Sequence, residues 1–396
     1  MATSCFSCFF MSKKTAELPD DLIYSIFLLL PIKTLVRFRS LSKQWNQIIC
    51  SRKFSLDRPL VSNIIQSFVS EKKMKPRLFI HKNWADEFHR SQMKSYLPPI
   101  PSELMPRWII AEATCDGLIC GICINGKRNK TYNATVYIII WNPHTRQHRV
   151  VPTPEGFRYN HCRPDHFRLG YDPSISDYKI VYLKRDGRAI QVFSLKSNTW
   201  RTVNDASTVD LLGGNYINHK DSVFVRGNVY CLWQVKHSNT DVIVKFSLKE
   251  EKLTAISLPP KLKNRSNRND GIIKLGQYHD GSLCLFCYWF FVAKTERLVE
   301  TWLHQEDVVG DRTWKKVASI PGASIPDKLT KDIMRPLGYT HSGDLILTSS
   351  TYLYGVYAHV PRASIVKKLK FEKRLKRKVL VDQHVQILDM ETLISP

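Results

Sequence analysis

Between Glu17 and Phe54 the apolar residues recur at helical spacing. Leu22, Ile26 and Leu30 lie four apart with Ile23 and Phe27 beside them, which predicts one apolar stripe on one helix. Pro19 stands where that helix can open, and Asp20 and Asp21 face the positive end of its dipole. Pro31 ends it, because proline lacks a donor and restricts the residue before it. A second helical pattern runs through Leu35, Phe38 and Leu41; a third opens after Ser42, an N-cap residue, and carries Trp45, Ile48 and Ile49. Three helices this short bury only a thin core, and their apolar content exceeds what they can hide from one another. The excess predicts a surface for another protein.

From Arg107 the period changes to that of strands separated by turn residues. Trp108–Thr114, Leu118–Ile124, Thr135–Trp141 and Gln147–Val151 make a first set of four strands, and four further sets follow up to Leu369. Trp141, Phe193, Phe246, Trp302 and Tyr357 hold matching third-strand places, 52, 53, 56 and 55 residues apart. Gly117, Gly227, Gly281 and Gly343 precede second strands, where a positive φ is cheap only for glycine. Trp200 and Trp314 occupy matching fourth-strand places. A repeat near 50 residues with these markers is kelch-like and predicts a β-propeller. The expected fold is therefore α+β and multidomain, a small three-helix unit followed by a mostly antiparallel propeller.

β runs are left over at both ends, Arg77–Ile80 before the first set and Val379–Asp382 with Val385–Leu388 after the fifth. An open ring exposes two sheet edges, so a sixth blade built from both ends is expected. On that reading a chain ending at Lys378 unzips the ring, and one ending at Asp389 is nearly unharmed. The boundaries read as a disordered extension over residues 1–14, helices over 15–55, a helical linker over 56–75 with its apolar fragment at Ile64, Ile65 and Phe68, and the propeller over 76–390. Met11 is an alternative start for translation.

Composition adds a partner preference. The chain of 396 residues carries a formal charge of +24, with 43% hydrophobic residues, enough for a sizeable core. Residues 1–60 and 361–396 each hold nine Lys/Arg against four Asp/Glu, so +14 is spread between them. A diffuse excess favours acidic partners over dedicated nucleic-acid binding, which wants a basic stripe with interleaved aromatics. The start lacks a basic n-region and the longest apolar runs are too short to span a bilayer, so neither secretion nor a membrane role is expected. The run Lys367–Lys378 suits nuclear import, and the expected location is the nucleus and/or cytoplasm.

Little in the chain points to catalysis. Cys120/Cys123 and Cys284/Cys287 have Cys-x-x-Cys spacing but lie within strand runs, where residues three apart face opposite ways. Cys5/Cys8 shares the spacing near the start, and His161, Cys162, Asp165 and His166 cluster without matching a standard metal site. Nucleotide-loop and nucleophile-elbow motifs are missing from the sequence, so no metal, cofactor or catalytic residue is expected.

Leu18-Pro19, Leu30-Pro31, Leu35 with Arg37, and Ser42-Lys43-Gln44-Trp45, in that order, resemble an F-box. Cys115-Asp116-Gly117-Leu118-Ile119-Cys120, Ile140-Trp141-Asn142-Pro143-His144-Thr145 and Leu169-Gly170-Tyr171-Asp172-Pro173 resemble the motifs of the F-box-associated domain common in plant F-box proteins. The combination implies the substrate-receptor subunit of an SCF-type ubiquitin ligase. By that resemblance Leu18, Pro19, Leu22, Ile26, Leu30, Pro31, Leu35, Phe38, Leu41 and Trp45 bind an SKP-family adaptor, and through it a cullin–RING ligase. The propeller then holds an unidentified, acidic protein for ubiquitination, its specificity in loops such as Asn125–Asn133, Pro154–His166, Asn204–Lys220 and Lys261–Gly271. A basic nucleic-acid-associated protein and a propeller-based enzyme are the alternatives.

Overall fold

The computed structural model describes residues 18–59, 63–68, 77–82, 92–96, 108–125, 135–157, 166–183, 190–203, 216–235, 241–263, 271–289, 298–306, 312–320, 334–340, 342–349, 356–360, 365–368, 383–388 and 394–396. Helix α1 spans Asp20–Leu29, α2 Ile32–Phe38, α3 Lys43–Cys50 and α4 Arg52–Asp57. Pro19 caps α1 with both aspartates in the first turn, and Pro31 separates α1 from α2. Ser42 caps α3 by accepting from the Trp45 amide, and Ser51 does the same for α4 at Phe54. Phe27, Ile32, Leu35, Ile49 and Phe54 form the helical core, on which Phe38 and Trp45 pack. Phe27 meets Trp45 edge-on at 5.2 Å between ring centroids. The fourth helix was not expected from sequence. Its Arg58 neighbour completes the unit by donating to the Phe27 and Leu30 carbonyls at the end of α1, the first of them shared with the Leu30 amide.

Strands β1 (Asn63–Phe68), β2 (Arg77–Lys82) and β3 (Gln92–Tyr96) come next in the chain. Blade 1 holds β4 (Trp108–Cys115), β5 (Leu118–Asn125), β6 (Thr135–Trp141) and β7 (His148–Val151). Blade 2 holds β8 (His166–Asp172), β9 (Asp177–Leu183), β10 (Ile190–Ser194) and β11 (Thr199–Thr202). Blade 3 holds β12 (Tyr216–Val225), β13 (Asn228–Val235), β14 (Asp241–Ser247) and β15 (Leu253–Ile256). Blade 4 holds β16 (Gly271–Gln277), β17 (Leu283–Trp289), β18 (Leu298–Glu306) and β19 (Arg312–Ile320). Blade 5 holds β20 (Met334–Tyr339), β21 (Leu345–Ser349), β22 (Val356–Val360) and β23 (Ile365–Lys368), and β24 (Gln383–Leu388) is the last strand.

The sixth sheet has the order β24-β1-β2-β3, with Asn63 opposite Leu388 and Phe68 opposite Gln383. The inner strands β4, β8, β12, β16, β20 and β24 touch in succession, and β24 returns to β4. The ring is thus a six-bladed propeller closed by one C-terminal strand set inside three N-terminal ones. Sequence reading expected closure from both ends but assigned the pieces differently. Ile64, Ile65 and Phe68 belong to a strand, where a helical linker over 56–75 was expected, so the propeller begins at Asn63 rather than at 76. A short apolar run cannot be told from a helix by period alone, and its isoleucines suit the ladder it finds with β24. Arg77–Ile80 lies in the second outer strand, and Val379–Asp382 falls outside the described residues.

Between blades the cores are largely apolar. Ile110, Ile122, Ile138 and Ile140 of blade 1 pack with Phe167, Leu169, Ile180 and Phe193 of blade 2. Trp141, Phe193, Phe246 and Trp302 all sit buried on third strands, as their spacing predicts. The paired tryptophans tie blade 2 to blade 1 and blade 4 to blade 3: Trp200 Nε1 donates to the Pro152 carbonyl and Trp314 Nε1 to that of Ser257, both at 2.7 Å. Gly170 has no room for a Cβ, because the Phe224 ring of β12 lies against its backbone.

Candidate functional site

Leucine and isoleucine on a small helical unit have either a core to enter or water to face. Phe27 and Leu35 take the first course, at 3% and 0% exposure. Leu18, Leu22, Ile26 and Leu29 take the second, at 57%, 51%, 45% and 82%. Their spacing puts them in one line along α1, on the side away from Phe27. Val36 on α2, Leu41 just beyond it and Leu56 on α4 add to the exposed apolar surface. Contiguous apolar exposure of this kind marks a place for a partner.

Of the ten residues expected at this surface, Leu18, Pro19, Leu22, Ile26, Pro31 and Leu41 are exposed. Leu30, Phe38 and Trp45 are half-buried against the helical core. Leu35 is fully buried and cannot touch a partner, which corrects its expected role. A leucine one turn after a proline reads alike whether it faces in or out; only packing decides. Leu29, Val36 and Leu56 were missed for the same reason. Of the expected recognition loops Asn125–Asn133, Pro154–His166, Asn204–Lys220 and Lys261–Gly271, residues 126–133, 158–165, 204–215 and 264–270 lie outside the described residues, as do Cys5, Cys8, His161, Cys162 and Asp165, while residues 216–220 belong to strand β12.

Among the described residues a side chain of α4 joins the helical unit to the ring. Arg52 Nε donates to Asp116 Oδ2 at 2.5 Å, and its guanidinium lies 4.0 Å over the Tyr171 ring. Tyr178 completes the group by donating its hydroxyl to the same carboxylate at 2.8 Å. Burial, then the Asp116 charge, pushes the Tyr178 hydroxyl well above the usual tyrosine range, so it remains a donor. Asp116 and Gly117 form the tight turn between β4 and β5 with φ of 47° and 77°, which aims the carboxylate outward at the helices. The helices therefore sit on the face of the ring that carries the first turn of each blade.

That face uses the other expected motifs as well. Asn142 Oδ1 accepts from the His144 and Thr145 amides, and its Nδ2 donates to the Ile394 carbonyl at 3.0 Å. Asp172 accepts from Lys179 Nζ at 2.7 Å, and Lys179 also reaches the Leu248 carbonyl and Glu251 of blade 3. The two Cys-x-x-Cys pairs in strands do face opposite ways: Cys284 packs between blades 4 and 5 and Cys287 between blades 3 and 4. Burial pushes the Cys123 thiol up to about 12, which suits a core residue rather than a nucleophile.

The Arg52 mount is testable. Arg52 is a third exposed and Asp116 a tenth, so a double-mutant cycle of Arg52→Ala and Asp116→Ala should give a coupling of about 1–3 kcal/mol, toward the low end. A coupling near zero in thermal or denaturant melts removes the mount.

Comparisons with known proteins agree with this division of the chain. A family described as "F-box domain" matches residues 16–57, and one described as "F-box associated beta propeller domain" matches residues 68–379. An F-box protein of Arabidopsis thaliana is 26% identical over 374 residues, covering 91% of this chain and 86% of its own. F-box only protein 10 of the same plant is 25% identical over 376 residues, covering 90% of each. Among solved structures, a luciferin-regenerating enzyme matches with a TM-score of 0.36 at 9% identity, covering 69% of this chain and 75% of that one. So loose a likeness carries no argument about function.

Proposed function

Because the chain belongs to the F-box proteins that carry an F-box-associated β-propeller domain, we propose that it is the substrate-receptor subunit of an SCF-type cullin–RING ubiquitin ligase. On this reading the F-box docks an SKP-family adaptor and the propeller recruits a target protein, in the nucleus and/or cytoplasm. The observation that carries it is the exposed line Leu18, Leu22, Ile26 and Leu29 on a helical unit whose own core is already complete. The chain contributes proximity rather than catalysis. Holding a target lysine beside a charged conjugating enzyme raises its effective concentration, and a fixed arm between the two binding surfaces keeps that concentration high. Arg52 is suited to fixing the arm, since it joins the F-box to two different blades.

The test is adaptor capture by the full chain. Leu22→Glu/Leu29→Glu puts two charges into the apolar line without touching the helical core. Losing a hot-spot contact costs roughly 2 kcal/mol or more, so capture should fall by about thirty-fold or more while the melting temperature stays put. Leu35→Ala should do the reverse, costing about 2–5 kcal/mol of F-box stability through a cavity. Capture by the Leu22→Glu/Leu29→Glu chain equal to that of the unaltered chain sinks the docking assignment.

A further inference from the structure

Four inner strands place a charged side chain at one shared level of the ring. Counting ladder pairs from the tight turn that ends each inner strand, the fifth rung is Arg168 opposite Val181, Asp221 opposite Leu232, Lys274 opposite Phe286 and Arg335 opposite Thr348. On β4 the fifth rung is Ile110 opposite Ile122, and Glu112 sits in the bulge between the third and fourth rungs. Three of these have evident work within the fold. Arg168 donates to the Ser222 carbonyl of β12 and the Glu112 carbonyl of β4, clipping three inner strands together. Asp221 accepts from the Leu275 amide of β16, clipping the next pair. Glu112 is buried and engaged.

Lys274 and Arg335 break the series. Ile273 and Leu275 on either side of Lys274 pack toward blade 3, so the lysine projects the other way, toward the strand that carries Arg335. Among the described residues, neither the Lys274 ammonium nor the Arg335 guanidinium has a hydrogen-bond or ion-pair partner within contact distance. From β8 to β20 the signs on this rung run plus, minus, plus, plus, and the doubled cation has no carboxylate of the rung between its members. Burial lowers the Lys274 ammonium from its ordinary range; Asp221 opposes this, while Arg168 and Arg335 add to it. β16 and β20 are neighbouring inner strands, so the two cations stand at one level beside the channel.

We propose that Lys274 and Arg335 form an oxyanion-binding subsite in the central channel, which takes a carboxylate or phosphate oxygen. The rung lies four ladder pairs beyond the turns on the F-box side, about 13 Å deeper into the ring. Assigning the oxyanion to an acidic side chain of the recruited protein rests on the receptor reading above; the subsite itself does not. The acidic partner also suits a chain of charge +24.

The test titrates full-length protein with inorganic phosphate and, separately, with a hexaglutamate peptide at fixed ionic strength. Lys274→Met and Arg335→Gln should each weaken binding by about ten-fold or more, the value of one charge-assisted contact. Lys249→Met, an exposed lysine with the same loss of charge, should leave binding unchanged and so controls for general attraction. Binding of the peptide alone assigns the subsite to a side chain, and binding of phosphate alone to a small free anion. Failure of both probes to bind, or equal binding by the unaltered chain, Lys274→Met and Arg335→Gln, overturns the proposal. Arg335 is exposed, so its variant tests the subsite even if Lys274→Met fails to fold. Adaptor capture by the same variants should be unchanged, which separates failure of the subsite from failure of the receptor reading.

Discussion

A chain ending at Lys378 is expected to lose the ring as a whole, without a cooperative melt and with poor solubility. The missing residues include β24, which is the inner strand of its blade and not an outer one. It pairs along its length with β1 and touches the inner strands of both neighbouring blades, β4 and β20. Without it, β1 presents a free ladder edge, and the circle of inner strands is broken at one point. A chain ending at Asp389 keeps β24 and was expected from sequence to be nearly unharmed. The structure corrects this. Ile394 is 6% exposed within the core shared by blades 1 and 2, and its carbonyl satisfies Asn142, which is fully buried. Losing that side chain and orphaning that amide should cost roughly 2–5 kcal/mol. Size-exclusion chromatography and thermal melting of the two truncated chains check both points. A 1–378 chain that melts like the full-length protein removes the closure described here.

Lys179→Met is the second large effect, expected to destabilise the propeller by about 3–5 kcal/mol. Lys179 is buried with Asp172 and bridges blade 2 to Glu251 on a turn of blade 3, a carboxylate that Arg201 also reaches. Removing the ammonium leaves the Asp172 charge buried without its counter-ion. The pH dependence has a definite sign. Burial alone would raise the Asp172 carboxyl, but hydrogen bonds from Lys179 and Ser174 outweigh it and hold the carboxyl below its ordinary value. The stabilisation is therefore complete above an ordinary carboxyl pKa of about 3.9 and is lost as pH falls through the lowered one. In Lys179→Met only the Ser174 hydrogen bonds still oppose burial, so the carboxyl rises and that variant should lose less stability on acidification than the unaltered chain. Denaturant melts between pH 3 and 7 distinguish the two courses; parallel curves for the two proteins would refute the pairing.

Much was determined by the sequence alone, wherever a local rule decides the outcome. Pro19, Pro31 and Ser42 set helix ends because missing donors and side-chain caps act over three or four residues. The strand sets and the glycines before second strands were legible because a turn at positive φ leaves its mark in residue type, as Gly117, Gly227, Gly281 and Gly343 show. Closure from both ends followed from counting leftover β runs. What tertiary structure decided was direction and partnership. Leu22 and Leu35 both stand at helical spacing in apolar patterns, yet one faces water and the other the core. Ile64 and Ile65 become a strand because β24, more than 300 residues later in the chain, supplies the ladder they complete. Arg52 is one cation among 59 Lys/Arg until the β4–β5 turn brings Asp116 beneath it and Tyr171 beside it. The charged rung of Arg168, Asp221, Lys274 and Arg335 is spread over residues more than 50 apart in the chain, and only the ring brings them to one level. Electrostatic and packing energies depend on distance in space, and sequence spacing carries that distance only within one helix or hairpin.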